Sequence, residues 1–289
     1  MKLVKSVLSA SILAAAAQTA VAIEIDPYAQ INVAYNDKSY NGGSGFEDTS
    51  SRVGVNISED LNGLAVVYNY ESSIDPTNET DTDMSEPDTR INALRVSGNF
   101  GTVSIGKDYL PFYNAIVWGV GADRFNGYYS GFETVSADLR QKDTLFYTSP
   151  SIDGFQLSAS ISDQNNDRKD IALTYKVNDQ ITLAAAFADG DTDAEKDSGV
   201  GISYTKDSLM VNLNYMETDD SNADYTNLYT EYALDDKNTL RAHISDTSSS
   251  TNPYTLGFSH QYNDDLNVYV EYYDDETTER PQIGFSYSL

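Results

Sequence analysis

The chain has 289 residues, 45 of them acidic against 18 basic, a formal charge of −27, and no cysteine. So acidic a chain is excluded from binding nucleic-acid phosphates, and the missing thiols exclude a disulfide scaffold or a thiolate metal centre. It attracts cations and repels anions, which suits either a soluble acidic protein or a membrane barrel with acidic loops; the 22 tyrosines lean toward the barrel, whose interfacial girdles use them heavily.

The N-terminus reads as an export signal. Lys2 and Lys5 precede a short apolar run from Val7 to Ala17, and Ala20-Val21-Ala22 fits the small-residue cleavage pattern. Residues 1–22 are therefore expected to be removed, leaving 23–289 as a single barrel unit. The removed segment holds two lysines and no acid, so the mature chain is more acidic still. Beyond it no run of about 18 apolar residues occurs, so no transmembrane helix is expected.

Past the signal, strict apolar/polar alternation replaces helical periodicity, the mark of strands with two unlike faces. Ile31, Val33 and Tyr35 open the series, followed by Val53, Val55 and Ile57, then Leu64, Val66, Tyr68 and Tyr70. Leu94, Val96, Val103 and Ile105 follow less cleanly. From Leu145 the pattern is regular, ending with Ile283, Phe285, Tyr287 and Leu289. The total is about sixteen strands. Connections alternate between short ones, such as Gly98–Gly101 and Asn263–Asp265, and longer, mostly acidic ones. Short turns on one rim and long loops on the other predict an all-β, 16-stranded antiparallel transmembrane barrel.

Three stretches carry a family resemblance. They are Ser51-Arg52-Val53-Gly54-Val55 followed by Glu59-Asp60-Leu61-Asn62-Gly63-Leu64; Phe100-Gly101-Thr102-Val103-Ser104-Ile105-Gly106-Lys107; and Tyr147-Thr148-Ser149-Pro150 followed by Gly154-Phe155. In this order and spacing they resemble the trimeric Gram-negative outer-membrane general porins. Two departures stand out. Lys107 replaces the family's usual arginine, and the chain ends in Leu289 where porins usually end in phenylalanine.

The resemblance implies that the longest connection, from Asp108 to Leu139, is a third loop folded into the barrel as a constriction. Its acids are Asp108, Asp123, Glu133 and Asp138. Parity aims Arg52, Arg140 and Lys142 at the lumen as a facing basic wall. Arg90 joins them by resemblance, or Arg95 takes its place, since parity across Arg90–Val96 is ambiguous. Charges opposed across the eyelet would order polar solutes and exclude apolar ones. Lys107 shares the parity of the lipid-facing Val103 and Ile105, where a charge is costly. The resemblance offers a place for it at a trimer interface, facing the acidic loop Ser72–Thr89 of a neighbouring subunit.

The expected function is passive diffusion of ions and small hydrophilic solutes through the outer membrane, with cation preference from the acidic mouth. The expected partners are those solutes, outer-membrane lipids and two further copies in a homotrimer. No cofactor or metal is called for: Asp189–Glu195 begins like a calcium loop but lacks the glycine at its sixth position and ends at Val200 rather than glutamate. Two alternatives remain. A sugar-specific channel would need an aromatic ladder; Tyr229 and Tyr269 point inward, but no regular ladder appears. An outer-membrane enzyme would need a nucleophile and base; His243 and His260 are the only histidines, and only His243 has a hydroxyl, Ser245, on its own lumen-facing side, with no third group evident.

Overall fold

The computed structural model describes residues 23–37, 44–77, 88–121, 124–126, 139–162, 168–190, 196–218, 223–248 and 252–289. The export signal expected at 1–22 lies outside them. The strands are β1 (Glu24–Asn36), β2 (Gly45–Asp48), β3 (Arg52–Asp60), β4 (Ala65–Ser73), β5 (Thr89–Gly98), β6 (Gly101–Tyr109), β7 (Arg140–Thr148), β8 (Phe155–Ser162), β9 (Lys169–Lys176), β10 (Ile181–Asp189), β11 (Asp197–Lys206), β12 (Leu209–Thr218), β13 (Ala223–Ala233), β14 (Asn238–Thr247), β15 (Tyr254–Gln261), β16 (Leu266–Asp274) and β17 (Glu279–Ser288).

β2 and β3 are two halves of one strand. Both pair with β1, β2 against Val33–Asn36 and β3 against Glu24–Gln30. Between them Ser50 takes φ 105°, and the Asp48 carboxylate accepts the Ser50 and Ser51 N–H groups at 3.0 Å. Counted so, sixteen antiparallel strands form one sheet. β1 also pairs with β17 from Gln30↔Ser288 to Asn36↔Gln282, and the last residue completes the seam, Leu289 N donating to the Ala29 carbonyl at 2.8 Å. Such closure joins the first and last strands, so that the sheet runs on where an open one would end in two edges.

Cross-strand register sorts side chains into continuous rows. Ile57, Tyr68, Leu94, Ile105, Leu145 and Ile161 stand in register across six neighbouring strands, all on the outer face. Leu183, Ile202, Leu213, Leu228 and Ile244 form a second outer row. Ile105 is 60% exposed and Ile244 51%, exposure that favours lipid over water as the surrounding medium. One step along the strands the faces invert: Ala184, Gly201, Asn214, Asn227 and Ser245 form an inner row of small and polar residues.

The short turns follow from local chemistry. Asn62 (φ 56°) and Gly63 (φ 90°) both take left-handed backbone, as a two-residue hairpin requires, and the Asp60 carboxylate accepts the Gly63 N–H at 2.9 Å. In the turn before β14, Asp235 accepts the Asn238 side-chain amide and the Lys237 and Asn238 N–H groups. These bonds, the Asn238 side chain's foremost, hold its carboxyl below the ordinary carboxylate range.

Two irregularities redirect side chains. Arg90 is an extra residue on β5 between the pairs Glu71↔Ile91 and Ser72↔Thr89. Between Gly106↔Thr144 and Asp108↔Gln141, two residues of β7 oppose one of β6. There Asp143 takes φ 53° and Gly106 φ 133°, and a β-carbon on Gly106 would strike the Asn92 carbonyl.

The outward rows yield a test. Leu213→Arg places a charge near the middle of β12's lipid face, and the unfolding free energy should fall by about 2–4 kcal/mol in a bilayer-based denaturant titration.

Candidate pore constriction

After Tyr109 the chain leaves the wall. Leu110 is buried, Pro111 opens a helical segment, and Tyr113–Gly119 forms a π-helical turn in which Val120 N donates to Ala115 O at 3.2 Å. Pro111 fits a first helical turn because its missing N–H would be unpaired there. Phe112, Ile116 and Val117 are almost wholly buried, clustered with Ala172, Ala184, Ala186 and Ala188 on the inner face of β9 and β10. Small side chains make the room. A β-carbon at Gly199 would press on Ile116, and one at Gly201 on Val120.

Polar groups pin the segment where apolar contact alone would let it slide. Asn212 Nδ2 donates to the Gly121 carbonyl at 2.7 Å and Asn214 Nδ2 to the Ile116 carbonyl at 3.0 Å. The Phe112 N–H donates to Asp170 at 3.3 Å. Asp170 is held by Arg168 at 2.8 Å, and Arg168 also meets Asp197 at 3.2 Å, with all three side chains buried. Buried charges persist only when paired and hydrogen-bonded in this way.

The connection then crosses to the far wall. Arg124 donates to the Trp118 carbonyl at 2.9 Å and lies 4.9 Å from the centre of that indole ring. Phe125 meets Tyr229 of β13 edge-on at 5.8 Å. The Asn126 N–H donates to Glu271 of β16 at 2.9 Å, and Tyr269 Oη donates to the Asn126 carbonyl at 3.4 Å. One connection thus touches the inner face of β9–β12 and that of β13–β16.

Charged groups line the wall beside β6. Glu71 receives Arg90 at 2.7 Å, Arg52 at 3.4 Å and the Tyr28 hydroxyl at 3.0 Å. Arg95 meets Asp108 at 2.6 Å. Arg140 donates to Tyr109 Oη at 2.8 Å and stacks over that ring at 4.8 Å, while Arg90 reaches the same hydroxyl at 3.3 Å. Across the lumen Arg241 pairs with Glu231 at 2.9 Å.

With this geometry in view, comparisons with known proteins decide the family. The sequence profile of the family described as Gram-negative porin matches residues 6–280, nearly the whole chain. The chain belongs to the Gram-negative porins. No curated protein sequence matches it significantly. Similar solved structures include OmpF of Salmonella typhi in complex with daunomycin (TM-score 0.76, 15% identity, 92% of this chain and 98% of that one). The trimer form of Vibrio cholerae OmpT (TM-score 0.73, 16% identity, 93% and 100%) is another. The anion-selective porin of Comamonas acidovorans is a third (TM-score 0.73, 17% identity, 93% and 100%). At such identities the likeness is one of fold. The family places the chain in the outer membrane as a channel.

Two of the residues anticipated from sequence stand elsewhere in this porin. Lys142 does not face the lumen. The bulge at Asp143 breaks the parity running back from Leu145, and Lys142 lines an outer depression with Lys107, Tyr68, Leu94 and Ile105. Asp108 is not a loop acid facing basic wall residues across the lumen. It sits on β6 and neutralises Arg95 from the adjacent strand. Arg52, Arg90, Arg95 and Arg140 do gather on this wall, Arg140 through Tyr109 rather than by simple parity. Asp123, Glu133 and Asp138 lie outside the described residues. Sequence reasoning passed over Glu71, although its parity opposite Tyr68 and Tyr70 marks it as inward. It also passed over Glu271, the Arg168 cluster and the two asparagines, whose partners are distant in sequence.

The Arg168 cluster can be tested through its carboxylate. Asp170→Asn removes the partner shared by Arg168 and the Phe112 N–H. Urea unfolding followed by fluorescence of Trp118, the only tryptophan, should show a loss of about 3 kcal/mol, the low end for a broken buried pair because Asp197 remains.

Proposed function

We propose that this porin is a general diffusion channel for ions and small hydrophilic solutes, with a preference for cations. The carrying observation is the connection after β6, whose residues 110–121 and 124–126 are held by hydrogen bonds to the β12 and the β16 sides of the lumen respectively. A sixteen-stranded barrel is wide enough for an aqueous channel, and a crossing segment narrows it. Beside the segment lie two recesses. One of 450 Å³ is polar, bordered by Asn126, Arg241, Ser259 and Gln261, and one of 350 Å³ is mixed, with Arg95, Asp108 and Asn114 beside Phe146 and Tyr147. Hydroxyl, amide and paired charged groups of this kind suit hydrated solutes of many shapes.

A sugar-specific channel is less well supported. Tyr229 and Tyr269, the inward aromatics that could have formed a sugar path, are 0% and 2% exposed, so neither presents a ring face to a solute.

Cation preference rests on the formal charge of −27, which outweighs the wall arginines, of which Arg52 and Arg90 share Glu71 and Arg95 is matched by Asp108. One similar structure is described as anion-selective, so the fold leaves the sign of selectivity to the charges each chain carries. Single-channel recordings of the refolded protein in a potassium chloride gradient should give a cation-selective reversal potential that declines as salt rises. Anion selectivity at low salt would defeat this part of the reading.

The active form we propose is a homotrimer. Lys107 faces outward opposite Asn92, in an outer depression of 720 Å³ that also holds Asp88, Lys142 and Asp143. A lysine facing lipid at the midplane costs about 2–4 kcal/mol, a cost removed when the surface meets protein instead. Asp75 and the acids Glu79, Asp81, Asp83 and Glu86 of the neighbouring subunit's Ser72–Thr89 loop are the proposed counter-charges, those from Glu79 to Glu86 lying outside the described residues. Lys107→Glu should lower the melting temperature of the detergent-solubilised trimer by several degrees; unchanged melting would discard the contact.

A further inference from the structure

Three buried side chains link the crossing segment to a strand it does not touch through them directly. Asn214 of β12 donates from Nδ2 to the Ile116 carbonyl at 3.0 Å. Asn227 of β13 donates from Nδ2 to Asn214 Oδ1 at 2.9 Å. His243 of β14 lies with Nε2 3.1 Å from Asn227 Oδ1. The three are 1%, 2% and 3% exposed, so the links are shielded from bulk solvent.

The direction of the chain is fixed by its first member. A backbone carbonyl only accepts, so the Asn214 atom facing Ile116 must be the amide nitrogen. Its oxygen then faces Asn227, which must in turn present its nitrogen and turn its own oxygen to His243. That oxygen accepts, so the ring nitrogen facing it must carry a proton.

We infer that His243 is a positioning residue for the constriction: its Nε2–H holds Asn227, and through it Asn214, in the orientation that grips Ile116. The role rests on the reading of the crossing segment as the constriction. Around the ring, Tyr229 and Thr255 flank His243 in register on β13 and β15, Arg241 and Ser245 lie on the same face of β14, Asp246 lies on its outer face, and Glu231, two residues beyond Tyr229, is paired to Arg241. No formal charge enters the relay itself. Its strength lies in donor–acceptor order, and a residue at 243 without a donor leaves Asn227 free to turn over. Asn214 would then lose its acceptor contact, and the Ile116 carbonyl its donor. The Asn212 bond to Gly121 is separate, so the segment would loosen around Ile116 without detaching at Gly121.

The test combines three measurements on the full-length mature protein. Nitrogen-15 spectroscopy of labelled histidine in the unaltered protein should find the His243 proton on Nε2; a neutral ring protonated on Nδ1 would overturn the proposal without any variant. In hydrogen exchange, His243→Leu should speed the Val120 amide on the order of tenfold, the loss of about one buried hydrogen bond, while His243→Gln, which keeps a side-chain N–H donor, should retain most of the protection. Equal protection in unaltered protein and His243→Leu, or equal loss in both variants, would overturn it. Single-channel current noise separates the two readings. Faster exchange with increased noise supports both, whereas faster exchange with unchanged conductance and noise upholds the relay and discards the constriction.

Discussion

In hydrocarbon no water is available to an unpaired peptide group, and the architecture follows from that constraint. A sheet that must have no edge has to close, so β1 divides its length between β17 on one side and the two halves β2 and β3 on the other. Closure demands that the final residue be paired as well, and the Leu289 and Ala29 backbones exchange hydrogen bonds. Once closed, the sheet has an outside and an inside with opposite solvents. Period-two alternation serves both at once, which explains why so many large apolar side chains are exposed while asparagine and serine are buried.

The interior poses the opposite difficulty. A barrel of this width has no core of its own, so something must fill part of it or it remains an open tube. The wall of β9–β11 is lined with alanine and glycine, and the π-helical turn occupies the space they leave. A π-helical turn bonds its backbone five residues apart and leaves carbonyls at its end in need of donors. Asn212 and Asn214 supply them from the wall. Apolar contact supplies the adhesion, and the amides set the register.

How far this was legible in the sequence depended on the range of the interaction. Outward faces are set residue by residue, so alternation alone gave the strands, their number and the two kinds of connection. A bulge defeats the same logic, because one extra residue turns every side chain beyond it to the other face. Lys142 was misplaced for that reason: Asp143, in left-handed backbone, stands between it and the regular run from Thr144. Glu71 is legible by parity, since Tyr68 and Tyr70 beside it on β4 face outward, but its role as the partner of two arginines emerges only from the neighbouring strands. The anchors of the crossing segment were not legible, since Asp170 and Phe112 or Asn214 and Ile116 become neighbours only after the connection has folded inward.

The arrangement of charge bears on how such a wall can be both basic and stable. An isolated arginine in a narrow channel is poorly solvated and free to swing across the path. Here Glu71 holds Arg90 and Arg52, and Asp108 holds Arg95. Each acid comes from a strand of the wall itself rather than from the crossing segment. Such pairing cancels much of the transverse field that unpaired arginines would set up, and in exchange fixes the guanidinium planes against the wall. Arg140 follows the same logic with an aromatic partner, lying over Tyr109 and donating to its hydroxyl. Tyr109 itself stacks on Tyr113 at 4.9 Å, the residue with which the π-helical turn begins. The charged wall and the crossing segment therefore share a mechanical joint, and a displacement of either is transmitted to the other through that pair of rings.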